Sequence, residues 1–387
     1  MKIKDEDNIQ IHNSQLENEF RVVNNNNMNK FFFNFKYICI ILIIVIFFSI
    51  FYFGIIPDTK QIKIAFSKKS INPNDNYQVF KEKLKLILDN DEIFENEMMN
   101  IHTTFQLGGP AKFFIIPKTI NKIIKVLQLC REFFIDYFIL GNGSNLLVSD
   151  NGYDGLIINI NENNFSDLKI EQIDENNYKI KVGAGILMRT LAKKLCLLSL
   201  SGLEDIIDIP GTIGGGIIMN ASAGGKGLIF DSLVKVKVIT PEGEIRELSK
   251  KECELRFRGS MLKDRKYLVI EAIFNLVKKD KMIIQKDMSD HTSRRYSRQP
   301  MYFPSAGSFF IWNKPEFGSL YQKYNENNLV SYKVGDAMIY TNNIAFIVNL
   351  GNAKSSDVYE IVTYVEKIIK LKYNIDIKRE VVVLGTL

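Results

Sequence analysis

DIPGTIGGGIIMNASAGG, residues 208–225, is the stretch on which the rest of this chain turns. Four of the six residues from Gly211 to Gly216 are glycine, and the apolar run Ile217-Ile218-Met219 follows before Asn220-Ala221-Ser222. Glycine lacks a Cβ, so its backbone can take left-handed dihedrals and come close to a ligand. Successive bare N–H groups at such a turn form a concave anion site, best where a helix begins. The stretch therefore reads as a loop gripping the diphosphate of a dinucleotide, with a tight turn between packed elements as the bland alternative. The proline before it and the apolar run after it favour ligand approach. By itself it names no ligand.

Working outward, 387 residues suggest two or three domains. A hydrophobic fraction of 46% suits a chain with real cores. The net charge of +6 is too mild and too dispersed to argue for nucleic acid, though it suits an anionic small ligand. Cys39, Cys130, Cys196 and Cys253 are scattered, and none sits in a C-x-x-C pair. Buried free thiols are expected, not a disulfide framework. His12, His102 and His291 have no second candidate ligand nearby in sequence, so no metal site is expected.

Residues 1 to about 30 are polar, with an asparagine run at Asn24–Asn27, and residues 1–36 read as a disordered tail. Residues 37–56, YICIILIIVIFFSIFYFGII, carry no charge and have the length of a bilayer span. They read as a transmembrane or targeting helix. Lysines and arginine on both sides leave its orientation open. Residues 57–82 read as a linker.

Beyond the linker, Gly108-Gly109-Pro110 makes a turn into the strand-like FFII. Ile120, Ile123, Ile124 and Leu127 form a helical stripe, and a strand at Tyr137–Leu140 follows. That strand runs into GNGSNLL, where Gly141, Asn142, Gly143, Ser144, Asn145 and Leu146 can offer backbone N–H groups and short side chains. The strand-end position suits a ligand. It is no Rossmann fingerprint, because no helix opens from the loop. Strand patterns recur at 155–160, 168–173 and 178–185, and a helix is expected from Leu187 to about Leu198. A hairpin at 233–248 turns over Pro241–Glu244. Residues 278–290 read as a break between domains. Val358, Ile361, Val362, Val365 and Ile369 mark a helix, and REVVVLG a closing strand.

Taken in order, GNGSNLL, IPGTIGG with MNA, QPMYFPSAGSFF with NKP, and AFIVNLGNA with REVVVLG resemble the UDP-N-acetylenolpyruvoylglucosamine reductases, in the subgroup without a tyrosine-bearing insertion. The resemblance covers about residues 83–387. It implies an α+β fold of the vanillyl-alcohol-oxidase (PCMH) type that binds FAD, with a separate C-terminal substrate domain. Residues 83–150 and 151–279 would be the FAD-binding subdomains, the second completed by 378–387, and 280–377 would bind substrate. Gly141–Leu146 would form one wall of the FAD site. Pro210, Gly211, Thr212, Gly214, Gly215 and Asn220 would form the other.

The implied reaction uses NADPH to reduce the flavin and then delivers hydride to the enolpyruvyl double bond of a UDP-sugar. The resemblance assigns the proton donor to Ser308, the electrostatic partner of the developing charge to Arg258, and a polarising carboxyl to Glu380. Arg295 and Arg298 are candidates for the substrate diphosphate, and Asn313 for the uridine or sugar. Gln106, Asp208, Phe257 and Asn343 depart from the family pattern and bear on fine geometry. Another flavin oxidoreductase of this fold, or a membrane-anchored scaffold without catalysis, remains as an alternative. Ser308, Arg258 and Glu380 occurring together favour the reductase. Because UDP-sugars and NADPH are cytosolic, the catalytic part is expected to face the cytosol, with or without a membrane anchor. Import into an organelle after loss of the N-terminal segment would serve equally.

Overall fold

Pro73 opens the first described helix, α1 (Pro73–Ile87), where its fixed φ and missing N–H suit a first turn. Phe80, Leu84 and Leu88 recur at i, i+4 and i+8 and are buried. Burial of each such side chain contributes about 1.5–3 kcal/mol. The linker expected to reach residue 82 therefore stops before this helix, which is part of the core. The computed structural model describes residues 73–221, 231–311 and 320–387. The polar tail, the apolar segment 37–56 and Asn313 lie outside the described residues. No helix among the described residues is long and apolar enough to cross a membrane.

Residues 76–387 form one compact unit. Its first layer holds β1 (Ile93–Met98), β2 (Pro110–Ile115), α2 (Ile120–Glu132), β3 (Tyr137–Leu140), β4 (Leu146–Val148) and β5 (Tyr153–Asn159). The Thr119 hydroxyl caps α2 by accepting from Lys122 N. Its apolar stripe buries Ile123, Val126, Leu127 and Cys130. The sheet order is β1-β2-β5-β3, with β5 parallel to both β2 and β3. Being central and parallel, β5 is covered on both faces. Leu156 and Ile158 join the main core, while Ile157 packs with Phe114, Leu140, Leu146 and Val148. The boundary expected at residue 150 thus falls later, because β5 is a central strand of this first sheet.

The second sheet collects β6 (Leu168–Gln172), β7 (Asn177–Gly183), β8 (Leu200–Ser201), β9 (Leu233–Ile239), β10 (Ile245–Ser249) and β11 (Leu268–Lys278). Its order is β10-β9-β11-β7-β6, with β8 on the end of β11. Between these strands run α3 (Met188–Leu197), α4 (Ile213–Met219) and the short α5 (Met261–Asp264).

The segment expected as a break is instead the 16-residue helix α6 (Lys281–Tyr296). Asp280 caps it by accepting from Met282 N and Ile283 N. Its Lys and Asp residues form a solvated helical face, and only Ile284 is fully buried. Beyond it, α7 (Leu320–Glu326), β12 (Lys333–Val334), β13 (Ala337–Ile339), β14 (Ile347–Asn349) and α8 (Ser355–Tyr373) enclose a separate core. The expected stripe of α8, from Val358 to Ile369, is buried there. The closing strand, β15 (Val382–Leu384), pairs in parallel with β4. The C-terminus was expected to complete residues 151–279. It joins the strand that follows the Gly141 loop instead, because Leu384 fills the small core against Leu146 and Val148.

Candidate active site

A cavity of about 690 Å³ lies where these parts meet, lined by the Gly141–Leu146 loop, the Pro210–Gly216 segment, Arg258, Ser308 and Glu380. Residues more than two hundred positions apart in sequence converge because β15 returns to β4. Val382 N donates to Asn145 O at 3.1 Å, and Asn145 Nδ2 donates to Glu380 O at 3.2 Å. Glu380 is thus clipped beside the first glycine loop. Its own N–H donates to Phe309 O at 2.8 Å, which seats it next to Ser308. Gly307, at φ +80°, makes the turn that carries Ser308 into the wall, and the Ser308 hydroxyl donates to Phe310 O at 3.0 Å.

Arg258 arrives from the opposite side. Arg256 and Gly259 exchange backbone hydrogen bonds, so Phe257 and Arg258 form a tight turn, with Arg258 itself left-handed at φ +57°. A non-glycine residue held there costs of order 1–3 kcal/mol and needs outside support. Asn220 supplies part of it, donating from Nδ2 to Arg256 O at 3.0 Å. Ser260 supplies more, donating from Oγ to Ile218 O at 2.7 Å. Arg258 Nε lies 2.8 Å from Glu380 Oε1, and both side chains are largely buried. Burial raises the Glu380 carboxyl above its ordinary range, while Arg258 and, more weakly, Lys263 oppose that rise. Phe257, at the position of a family departure, presents its ring to the Arg258 guanidinium at 5.2 Å.

The two glycine segments face each other across this cavity. Asn142 Nδ2 donates to Pro210 O at 2.7 Å. A Cβ on Gly141 would sit 2.5 Å from Thr212 Oγ1. Gly143, at φ +60°, would place a Cβ 2.1 Å from His102 O. Among the described residues, the N–H groups of Asn142, Gly143, Ser144 and Asn145 donate to no protein atom. They form a cradle for an anion.

The central stretch behaves differently from its expectation. Gly214, Gly215 and Gly216 are helical residues of α4, and none of them has a left-handed φ. Ile213 N donates to Ile186 O, Gly214 N to Ala184 O, Gly215 N to Thr212 Oγ1 and Gly216 N to Thr212 O. The donors from Ile213 to Gly216 are therefore used by the fold, and glycine at 214 serves close packing: a Cβ on Gly214 would meet Ala184 Cβ at 2.9 Å. Pro210, Gly211, Thr212 and Gly215 line the cavity, whereas Gly214 and Asn220 do not. Asn220 is the left-handed C-cap of α4 and a support of the Arg258 turn.

The cavity fits FAD on these observations. Its volume is in the range of cofactor sites. One wall offers unused N–H groups, and glycines stand where side chains would collide with the facing loop. Gly141–Leu146, Pro210, Gly211, Thr212 and Gly215 line the cavity and are the candidates to hold the cofactor.

Arg295, on α6, lines this cavity and a smaller one beside it. Its burial draws the guanidinium down to about 10, with nearby Asp208 opposing the fall, so it stays protonated at neutral pH. Arg298 lines neither cavity, and its carbonyl accepts from Asn343 Nδ2 at 2.8 Å. Gln106 lines the smaller cavity. Cys130, Cys196 and Cys253 are buried free thiols. Sequence reasoning missed Lys263, which lines the cavity, and Arg189, which pairs with Asp208 at 2.9 Å. No local pattern marks either residue, because both contacts are made only in the folded chain.

Comparison with known proteins bears on the family and the fold. A family profile described as "FAD binding domain" matches residues 111–249. One described as "UDP-N-acetylenolpyruvoylglucosamine reductase, C-terminal domain" matches residues 299–384. The UDP-N-acetylenolpyruvoylglucosamine reductase of Clostridium novyi (strain NT) is 36% identical over 304 residues, covering 79% of this chain and 96% of the relative. That of Lachnoclostridium phytofermentans is 34% identical over 307 residues, covering 79% and 97%. The crystal structure of the Thermus caldophilus enzyme of that name superposes with a TM-score of 0.61 at 29% identity, covering 76% of this chain and 98% of that one. The chain belongs to the UDP-N-acetylenolpyruvoylglucosamine reductase family, FAD-dependent oxidoreductases that use NADPH to reduce the enolpyruvyl group of a UDP-sugar for peptidoglycan synthesis.

Proposed function

We propose that Arg258, Glu380 and Ser308 carry the chemical step of this reduction. Bound in the larger cavity, FAD supplies a hydride acceptor for NADPH and a hydride donor for the enolpyruvyl double bond. Arg258, fixed by its turn, holds a positive charge where negative charge develops on the carboxyl-conjugated carbon, and such preorganised charge costs no reorganisation during the reaction. Glu380 orients that guanidinium and helps to polarise or stabilise the intermediate. Ser308 gives the proton to that carboxyl-conjugated carbon, next to the one that receives the hydride, its hydroxyl turning from the Phe310 carbonyl into the cavity. Its intrinsic acidity is weak, so the cationic Arg258 and the low dielectric of the wall must favour transfer.

What carries this reading is that Ser308 and the Arg258–Glu380 pair all line one cavity. Arg295 is the residue suited to the substrate diphosphate. Asn313 keeps its proposed role with the uridine or sugar on the resemblance alone. Residues 37–56 are proposed to tether the enzyme, with the catalytic part on the side that holds NADPH and UDP-sugars. Protease protection of the membrane-inserted full chain tests that orientation, and a catalytic part shielded inside an oxidising compartment would sink it.

Anaerobic stopped-flow spectroscopy of Ser308→Ala tests the proton donor. Bleaching by NADPH should be retained, while reoxidation by the enolpyruvyl UDP-sugar should slow by about 10²- to 10⁴-fold, the usual contribution of a positioned acid. Reoxidation at the normal rate would remove Ser308 from the mechanism.

A further inference from the structure

The smaller cavity, of about 360 Å³, shares Pro210, Arg295 and Gly307 with the larger one. Its other wall carries Arg189 and Asp208, which the roles assigned above leave unused. Three elements meet there. The first turn of α3 brings Arg189, the segment before α4 brings Asp208, and α6 brings Thr292 and, one turn later on the same face, Arg295. The Asp208 side chain is 8% exposed, and its Oδ1 accepts from Arg189 Nη2 at 2.9 Å. Its Oδ2 accepts from the Thr292 hydroxyl. Arg295 Nε is buried with no acceptor among the described residues.

Two guanidiniums and one carboxylate leave this cavity with a surplus of one positive charge. Arginines crowded into a half-closed space repel each other, and Asp208 between them makes the arrangement tolerable. Arg189 is about half exposed, so it is free to swing. At the cavity mouth stands Tyr302, 88% exposed and edge-on to Tyr296 at 6.4 Å. An accessible ring beside paired arginines suits a ligand with both a planar base and a diphosphate.

We propose that Asp208 is a latch for Arg189, released when a nucleotide diphosphate enters the smaller cavity. This deepens, and rests on, the reading that Arg295 takes a substrate diphosphate. Before binding, Asp208 occupies Arg189. The incoming diphosphate takes Arg189 from the carboxylate and is held between Arg189 and Arg295, with Tyr302 against the base. Arginine suits the exchange because its planar fork matches two phosphate oxygens as well as two carboxylate oxygens. Asp208 keeps the Thr292 hydroxyl throughout, so its charge is not stranded.

The enolpyruvyl UDP-sugar and NADPH both carry a diphosphate, and the two half-reactions separate them. With full-length holoenzyme, stopped-flow bleaching reads NADPH saturation and reoxidation reads UDP-sugar saturation. Arg189→Met should raise the half-saturating concentration of at least one nucleotide about tenfold, the loss of one charge-assisted contact. The effect should fall on saturation more than on the limiting rate, and the nucleotide affected names the source. Asp208→Asn removes the competitor and should lower that same concentration several-fold. Unchanged saturation of both nucleotides in Arg189→Met overturns the proposal, as does an Asp208→Asn protein that binds no tighter. Arg295→Met keeps the two readings apart. If it alone weakens saturation, the Arg295 role stands and the latch falls; if neither arginine matters, both fall.

Discussion

Gly141–Leu146 and Gly211–Asn220 both reach the larger cavity, and they use their backbone donors in opposite ways. In the first, four successive N–H groups from Asn142 to Asn145 meet no protein acceptor among the described residues. In the second, the N–H groups from Ile213 to Gly216 are all taken up by Ile186, Ala184 and Thr212. The first keeps its donors open to the cavity, as a candidate anion cradle. The second is a short helix that packs tightly, closes the cavity and carries the Arg258 turn on its C-cap. Glycine density alone does not separate these uses. What separates them is whether the donors have partners and what an added Cβ would meet.

Substitution of single glycines should break or sharpen this contrast, and the largest effect is expected in the cradle. Gly143→Ala would force a Cβ into the His102 carbonyl at a left-handed φ, costing about 2–4 kcal/mol. The purified protein should lose its flavin absorbance along with several degrees of thermal stability; a yellow protein of normal melting temperature would refute the cradle. Gly214→Ala should come next, because its Cβ would press on Ala184. Overpacking there costs about 1–3 kcal/mol. Denaturant unfolding should show that loss, while the folded fraction still binds flavin stoichiometrically.

Thr212→Val is expected to be milder. It removes the hydroxyl that caps α4, worth about 1 kcal/mol, and should lower the unfolding midpoint modestly. Gly215→Ala should have the smallest effect on stability. Its Cβ meets only Thr212 Oγ1, at 3.4 Å, and alanine gains up to about 1 kcal/mol over glycine in a helix. Stability should hold or rise slightly while flavin titration shows weaker binding, since the new methyl projects at the cavity. A flavin affinity unchanged in Gly215→Ala would mean that α4 stands farther from the cofactor than its place in the wall implies.

Local elements were legible where a periodic pattern coincided with burial. The stripes of α2 and α8 lie at the expected positions because a helix that buries one face must repeat its apolar residues every three or four positions. The α6 region was misread as a break because that helix is almost wholly solvated, so no stripe marks it. Gly214 shows why such loops are hard to read: a glycine needed for close packing looks the same in sequence as one needed for a turn. Asn220 caps α4 through its own N–H, and its side chain reaches Arg256, thirty-six positions away, a contact that no local spacing announces.

The sequence by itself determined the family and the reaction, because the ordered motifs carry both, and it singled out Ser308, Arg258 and Glu380 as candidates for the chemistry. It also marked two glycine-rich segments as candidate walls of one site. Only the tertiary structure decided which of the two keeps its donors open, that β15 returns to β4 and so brings Glu380 to Arg258, and that Asp208 stands between two arginines. Each of these is a long-range pairing. Its energy comes from hydrogen bonds and charges brought together only by folding, and no local spacing along the chain encodes such a meeting.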